Sequence, residues 1–306
     1  MTISTRLFNE QTVRQIGLLN DRVQGLQDQV ATGRADTRPS QDLMSAVKLS
    51  ASKELLGGIE RYQTNIDVAL LRLDLADSTL AQIGNVATRL SELSVQAATD
   101  TLSYADRQSV RLEVEQQLEL LLGLANTRDS QGQSLFAGYR TADVPFVRDA
   151  SGSVVYQGDS GVHTLRISDS QSLPTSLDGA SAFQRIETET GPKSLFAIVE
   201  DFIGALETSD TPEGRAGLGQ AVSEMTAMTS HVAAQRTRVG ANARTAEIQS
   251  EALGKRELLV RKAISGLEDA DLAEVISQLQ SLLVNRDATQ QVFAKISQQS
   301  LFDFIR

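Results

Sequence analysis

The chain has no cysteine and no tryptophan, its aromatic residues make up only 4% of 306, and proline occurs five times. Without thiols, a disulfide framework and thiolate metal sites are excluded. With so few aromatics, the 41% hydrophobic content rests mostly on Leu, Val, Ile and Ala, the composition of long helices. Positive charge is also short. There are 29 Lys plus Arg against 39 Asp plus Glu, and the net charge of -10 repels a phosphate backbone. No Arg/Lys cluster with interleaved aromatics is present, so nucleic acid is not an expected partner. No apolar run approaches the roughly 20 residues needed to cross a bilayer. The start, MTISTRLFNE, lacks the basic and apolar regions of a signal peptide, so neither membrane insertion nor Sec export is expected.

What the chain does have is helical seams. In the head, residues 3–33, the apolar residues Ile16, Leu19, Val23, Leu26 and Val30 step by three and four between polar neighbours. In the tail, residues 271–306, Leu272, Ile276, Leu279 and Leu283 do the same, and after polar Arg286 and Gln290 the stripe resumes at Phe293 and Ile296. A single amphipathic helix gains most of its stability from packing, so the two ends are expected to pair. The last apolar residues, Leu301, Phe302, Phe304 and Ile305, call for a further partner surface.

Between the ends, ATGRADTRPSQD breaks the period and offers Ser40 or Asp42 as the next cap. The longest seam follows, from Ile59 through Ile66, Leu73, Leu80, Ala87 and Ser94 to Ala97, with one register through Gly57, Gly58 and Gly84. After a polar break at 99–103, Val110, Val114, Gln117, Leu121 and Leu124 predict a helix folding back antiparallel. Residues 138–191 change character. Two β-prone runs, 153–157 and 162–167, flank Gly158-Asp159-Ser160-Gly161 and predict a hairpin within a small β-rich insertion. Leu195, Val199, Phe202 and Leu206 resume the helical period, and a long helix from Leu218 is expected to reach about Lys262. Ser265 to Glu268 matches a capping box for the final helix.

The fold class expected is therefore mainly α with a small β-rich insertion, an elongated helical rod or coiled coil formed by the N- and C-terminal segments. The division expected is 1–40 with 271–306 as a terminal helical region for assembly, 41–137 with 192–270 as a helical rod, and 138–191 as a β-rich outer domain.

No site for chemistry emerges. Gly158-Asp159-Ser160-Gly161 matches the tetrapeptide around a serine-protease nucleophile, but a triad needs a base held by a third group, and the chain has only His163 and His231. A turn is the better reading. The acidic group Glu268, Asp269, Asp271 and Glu274 lacks the spacing and central Gly of a calcium loop, and suits a helix start. Gly214, Gly217 and Gly219 lack the strand and the Lys-Ser/Thr of a phosphate loop. The run Lys255, Arg256, Arg261 and Lys262 includes Glu257 and reads as a solvated helix face. No catalytic, cofactor-binding or metal-binding residue is expected.

Several stretches carry a family resemblance: LQDQVATG at 26–33, LADSTLAQIGNVATRLSELSVQAA at 75–98, QGQSLFAGYR at 131–140, VVYQGDSG at 154–161, LEDADLAEVISQL at 267–279 and the ending KISQQSLFDFI. With them the chain resembles bacterial flagellin-type axial proteins. The head and tail stretches are common to that family, whereas FAGYR, VVYQGDSG and SLFDF look like its branch at the hook-filament junction. TRPSQD, at 37–42, departs from the Pro-Ser-Asp-Asp-Pro-like loop common in the family. The resemblance implies a structural subunit, not an enzyme, located in the bacterial flagellum and secreted through the flagellar type III export apparatus without a cleaved signal peptide. It implies contacts with flagellin and the hook-side junction protein, self-association in a helical ring, and an export chaperone at the C-terminal helix. A filament subunit and a cytoplasmic coiled-coil scaffold are the alternative readings. For the interface within the assembly the expectation names Ile16, Leu19, Val23, Leu26, Val30, Ile276, Leu279, Leu283, Phe293, Ile296, Leu301 and Phe302.

Overall fold

A computed structural model describes residues 2–35 and 42–302. In chain order the helices are α1 (Thr2–Thr32), α2 (Leu43–Ala97), α3 (Tyr104–Ala125), α4 (Leu195–Glu207), α5 (Pro212–Glu268) and α6 (Leu272–Phe302). Six three-residue strands lie between α3 and α4: β1 (Phe146–Arg148), β2 (Val154–Tyr156), β3 (Thr164–Arg166), β4 (Ser172–Pro174), β5 (Ile186–Thr188) and β6 (Gly191–Lys193). The chain divides into two compact units, residues 1–58 with 255–306 and residues 59–254, and α2 and α5 contribute to both.

The seam predicted for α2 is the heart of the second unit. Ile59, Ile66, Leu73, Leu80, Ala87, Leu90, Ser94 and Ala97 are all buried, and the helix runs unbroken through its three glycines. Each of these glycines costs an isolated helix about 1 kcal/mol, so it is the packed register that holds α2 straight through them. Its partner is α5, where Leu218, Ala221, Met225, Met228, Val232 and Val239 are buried. Gln63 bonds Ser250 at 2.5 Å and Asp77 takes a bidentate ion pair from Arg236 at 2.9 and 3.1 Å. Numbers that rise along α2 fall along α5, so the pair is antiparallel.

Helix α3 returns along α2, as the sequence predicts. The Ser103 hydroxyl accepts from Asp106 N at 3.2 Å and starts it, and Arg89 and Glu113 pair across the two helices at 2.7 Å. The turn is fastened by a residue that the period does not single out. Arg107 is buried and donates to the Ala97 and Thr99 carbonyls, at 2.9 and 3.0 Å, where the last carbonyls of α2 lack helical partners. A cation there also complements the helix dipole. Arg107→Met should therefore lower the stability of this unit by about 2 kcal/mol, since two charged hydrogen bonds are lost and the carbonyl of buried Ala97 loses its donor, while the Thr99 carbonyl keeps Leu102 N. Urea unfolding followed by circular dichroism measures it.

The β region is not built as the sequence suggests. Gly158–Gly161 does not close a hairpin. β2 pairs upstream with β1, Phe146 opposite Tyr156, and β3 pairs downstream with β4, Thr164 opposite Pro174, while β5 pairs with β6. Each pair is antiparallel and two-stranded, too small to stand alone. The β1–β2 pair is held by an aromatic cluster: Phe146 lies 5.0 Å from Tyr156, 5.6 Å from Phe183 and 5.2 Å from Phe196, ring centre to ring centre. Phe183 belongs to a π-helical turn at Ala180–Gln184, and Phe196 to α4. A chain poor in aromatics thus spends five of its nine phenylalanines, all fully buried, in and beside this insertion.

The last helix also starts differently from the expectation. Ser265 to Glu268 is not a capping box but the end of α5, which continues past Lys262. The N-terminal turn of α6 is capped instead by Asp271, whose Oδ1 accepts from Ala273 N at 3.0 Å and Glu274 N at 3.2 Å. Asp42 does the same for α2, accepting from Ser45 N at 3.0 Å, while Ser40 lies outside the described residues.

Candidate assembly surface

The first unit brings the two ends of the chain together, as their seams predict. α1 and α6 pack on one another, and where α1 ends and α6 begins, Ala35 N donates to Glu268 O at 2.7 Å and Ala270 N donates to Gly33 O at 3.0 Å. The Glu268 carboxylate, largely buried, takes Arg34 at 3.3 Å and Lys53 at 3.1 Å, so one acid ties together the α1 exit, α2 and the end of α5.

The α1–α6 seam is thin. Of the side chains described on these two helices, only Val23 and Val275 are buried. Ile16, Leu19, Leu26, Val30, Leu279, Leu283 and Phe293 are half-buried. Leu272 and Ile276 are exposed, so the inward stripe of α6 runs through Val275, Leu279, Leu282, Arg286 and Phe293 rather than through Ile276. Ile296, Leu301 and Phe302 lie in α6 by their backbone, and their side chains are outside the described set; Phe304 and Ile305 lie outside the described residues.

Sequence reasoning missed a further set of bare apolar residues in this unit. Leu43, Met44, Val47 and Leu55 of α2, Leu258 and Leu259 of α5, and Val284 and Val292 of α6 are all exposed. Leu43 and Val47 stand four apart, a helical-face signal, but they precede the long seam and contribute nothing to it. Exposed apolar residues in such number make this unit the candidate for contact with a partner.

The candidate chemical groups have structural partners instead. The Asp159 carboxylate accepts from Tyr139 N and Gly161 N, each at 2.8 Å, and these bonds hold its pKa below the ordinary 3.8. Its contribution to folding is thus present above that value and lost as pH falls through the folded one. Tyr156 Oη donates to the Asp159 carbonyl at 2.7 Å. Gly138, at φ +70, could not carry a side chain, because a Cβ would stand 2.1 Å from Asp159 Oδ1; at Gly161 a Cβ would strike the Tyr139 ring at 2.3 Å. FAGYR and VVYQGDSG are therefore two halves of one clasp. His231 Nε2 lies 3.1 Å from the carbonyls of Ser181 and Ala182, and the His163 ring stacks edge-on against Tyr139. Among the described contacts, Ser160 bonds neither histidine. Glu274 accepts from Gln278 at 3.0 Å and Asp269 from Ser265, and no group of three potential metal ligands occurs among the described residues. Nor, among them, is any helix long and apolar enough to cross a membrane.

The chain thus has paired terminal helices, an antiparallel helical body and a β insertion between α3 and α4. Residues 3–141 match the family model for the bacterial flagellin N-terminal helical region and residues 210–305 that for the C-terminal helical region, so the chain belongs to the bacterial flagellin family. It is 25% identical to flagellar hook-associated protein 3 of Salmonella typhimurium over 324 residues, covering all of both chains. The crystal structure of flagellar hook-associated protein 3 from Legionella pneumophila shares the fold, with a TM-score of 0.67 at 18% identity over 71% of this chain and 98% of that one. A flagellin of Clostridium tyrobutyricum is 24% identical over 157 residues, only 50% of this chain and 41% of its own length.

Proposed function

We propose that this chain is a structural subunit of the bacterial flagellum that forms the junction between hook and filament and adapts the hook-side junction protein to flagellin. The observation that carries this reading is the extent of likeness: hook-associated protein 3 matches from end to end, β insertion included, whereas the flagellin matches over half the chain. Mechanically, the first unit supplies the contacts between copies in a helical ring, and the second supplies a stiff antiparallel body carrying the β insertion outward. Export proceeds unfolded through the flagellar type III apparatus, with a chaperone guarding the C-terminal helix. No catalytic role is assigned to it.

Electron microscopy of a strain lacking the gene, with flagellin assayed in the medium, tests the proposal. Bare hooks with flagellin lost to the medium are expected, because secretion continues and only the adaptor is missing. Filaments of normal length and anchorage would overturn it.

The thin seam has its own consequence. Two 31-residue helices with only two buried side chains among those described lie at the low end of local stability, so α1 and α6 should become fully ordered only when copies assemble. Hydrogen exchange on the monomer should show weak protection at Val23 and Leu279 beside strong protection at Leu80 and Met225. Equal protection at all four would remove the coupling of folding to assembly.

A further inference from the structure

Leu258, 71% exposed, is the barest large apolar side chain among the described residues, and its neighbour Leu259 is 68% exposed. Around them stand Lys255, Arg256, Arg261 and Lys262, with Glu257 bound to Arg261 at 2.7 Å. Helical spacing puts Lys255, Leu258 and Lys262 on one stripe, while Leu253 and Val260 turn inward and are buried. A solvated face accounts for the cations but not for two bare leucines among them. In a chain of net charge -10 this ridge is a basic, apolar exception.

Its complement lies on the second unit. An open groove of about 630 Å³ runs between α3, α4 and the β1–β2 turn. Leu112, exposed, and Ile203, half-buried, give it apolar walls, and Glu115, Glu119 and Glu200 line it against a single cation, Arg148. Each carboxylate uses one oxygen, Oε1, toward Arg111, Arg148 and Val154 N respectively, and keeps Oε2 for another donor.

We propose that the Leu258–Leu259 ridge of one copy docks into the α3–α4 groove of the next, the leucines meeting Leu112 and Ile203 while Arg256 and Lys262 meet the glutamates. This rests on the reading of the chain as an assembling subunit. Ridge and groove are different surfaces of one chain, so the contact is heterologous and repeats from copy to copy instead of closing as a dimer. The opposed charges fix the register of docking and disfavour groove-to-groove pairing.

The absence of native cysteine makes cross-linking a clean test. Leu258→Cys with Leu112→Cys, and separately Lys262→Cys with Glu119→Cys, replace exposed side chains and are expressed in place of the native gene. Flagella treated with a short bismaleimide should give a ladder of dimers and higher multimers of either double variant, and monomer alone with each single variant. Leu258→Asp should lower the flagellum-bound chain about tenfold or more, which requires a loss of only about 1.4 kcal/mol per contact. Monomer alone from both pairs, in flagella that have incorporated the variant chains, would overturn the contact and leave the junction role standing. Flagella without the wild-type chain would overturn the junction role, and the contact with it.

Discussion

Phe146→Ala should destabilise the second unit by about 3 to 5 kcal/mol, the range for emptying a buried phenylalanine site, and lower its melting midpoint by about 10 °C. The ring is the meeting point of four elements. It touches Tyr156 on β2, Phe183 on the π-helical turn and Phe196 on α4, each pair in the 4.5–7 Å range where tilted and edge-on rings attract. Its backbone is fixed as well: Asn126, just past α3, donates to Phe146 O at 2.8 Å and accepts from Phe146 N at 3.0 Å. Neighbours anchored this firmly cannot collapse into the space a ring leaves, so the cavity persists and the cost stays near the top of the range. Val155→Ala, on the exposed face of the same β2, should cost less than about 0.5 kcal/mol. Thermal unfolding by circular dichroism separates the two. If Phe146→Ala cost under 1 kcal/mol, the insertion would be folding apart from α4 rather than as one cooperative piece with it.

Sequence pattern reads well where one partner dictates one face, and poorly where the partner is a choice. The α2 seam was legible because nearly every third or fourth residue from Ile59 to Ala97 is buried, and a strict period leaves a single solution. The strands were not. Gly158-Asp159-Ser160-Gly161 announces a turn, but three-residue strands are too short for alternation to reveal which ones the turn joins. The partner of β2 is Phe146–Arg148, which carries little strand signal of its own. The capping box at Ser265 failed because α5 was still packed at Val260 and Asp271 offered its carboxylate to the next helix start. On α6 the apolar residues are dense enough to support two stripes, one through Leu272 and Ile276 and one through Val275 and Leu282. α1 selects the second. Arg107 and Glu268 were invisible as fasteners because their bonds join residues whose nearness is created by the fold.

Ile276→Asp should then leave the monomer unchanged and abolish its incorporation into the flagellum. In the monomer Ile276 is 41% exposed at the side of α6 that α1 does not cover, so a carboxylate there remains solvated and should shift stability by no more than about 0.5 kcal/mol. In an assembly that buries this stripe, the same carboxylate loses its water, and each copy bears a penalty of several kcal/mol. The flagellum-bound chain should fall at least about tenfold, bare hooks should accumulate, and Ile276→Leu should behave as wild type. Phe293→Asp should also fail, but Phe293 is half-buried within the monomer, so its loss mixes a weakened α1–α6 seam with a lost contact. Ile276 separates the two effects because, among the described residues, nothing in the monomer buries it. Normal incorporation of Ile276→Asp, with its circular dichroism and hydrogen exchange unchanged, would take the outer stripe of α6 out of the interface and leave the exposed apolar faces of α2 and α5 to carry assembly.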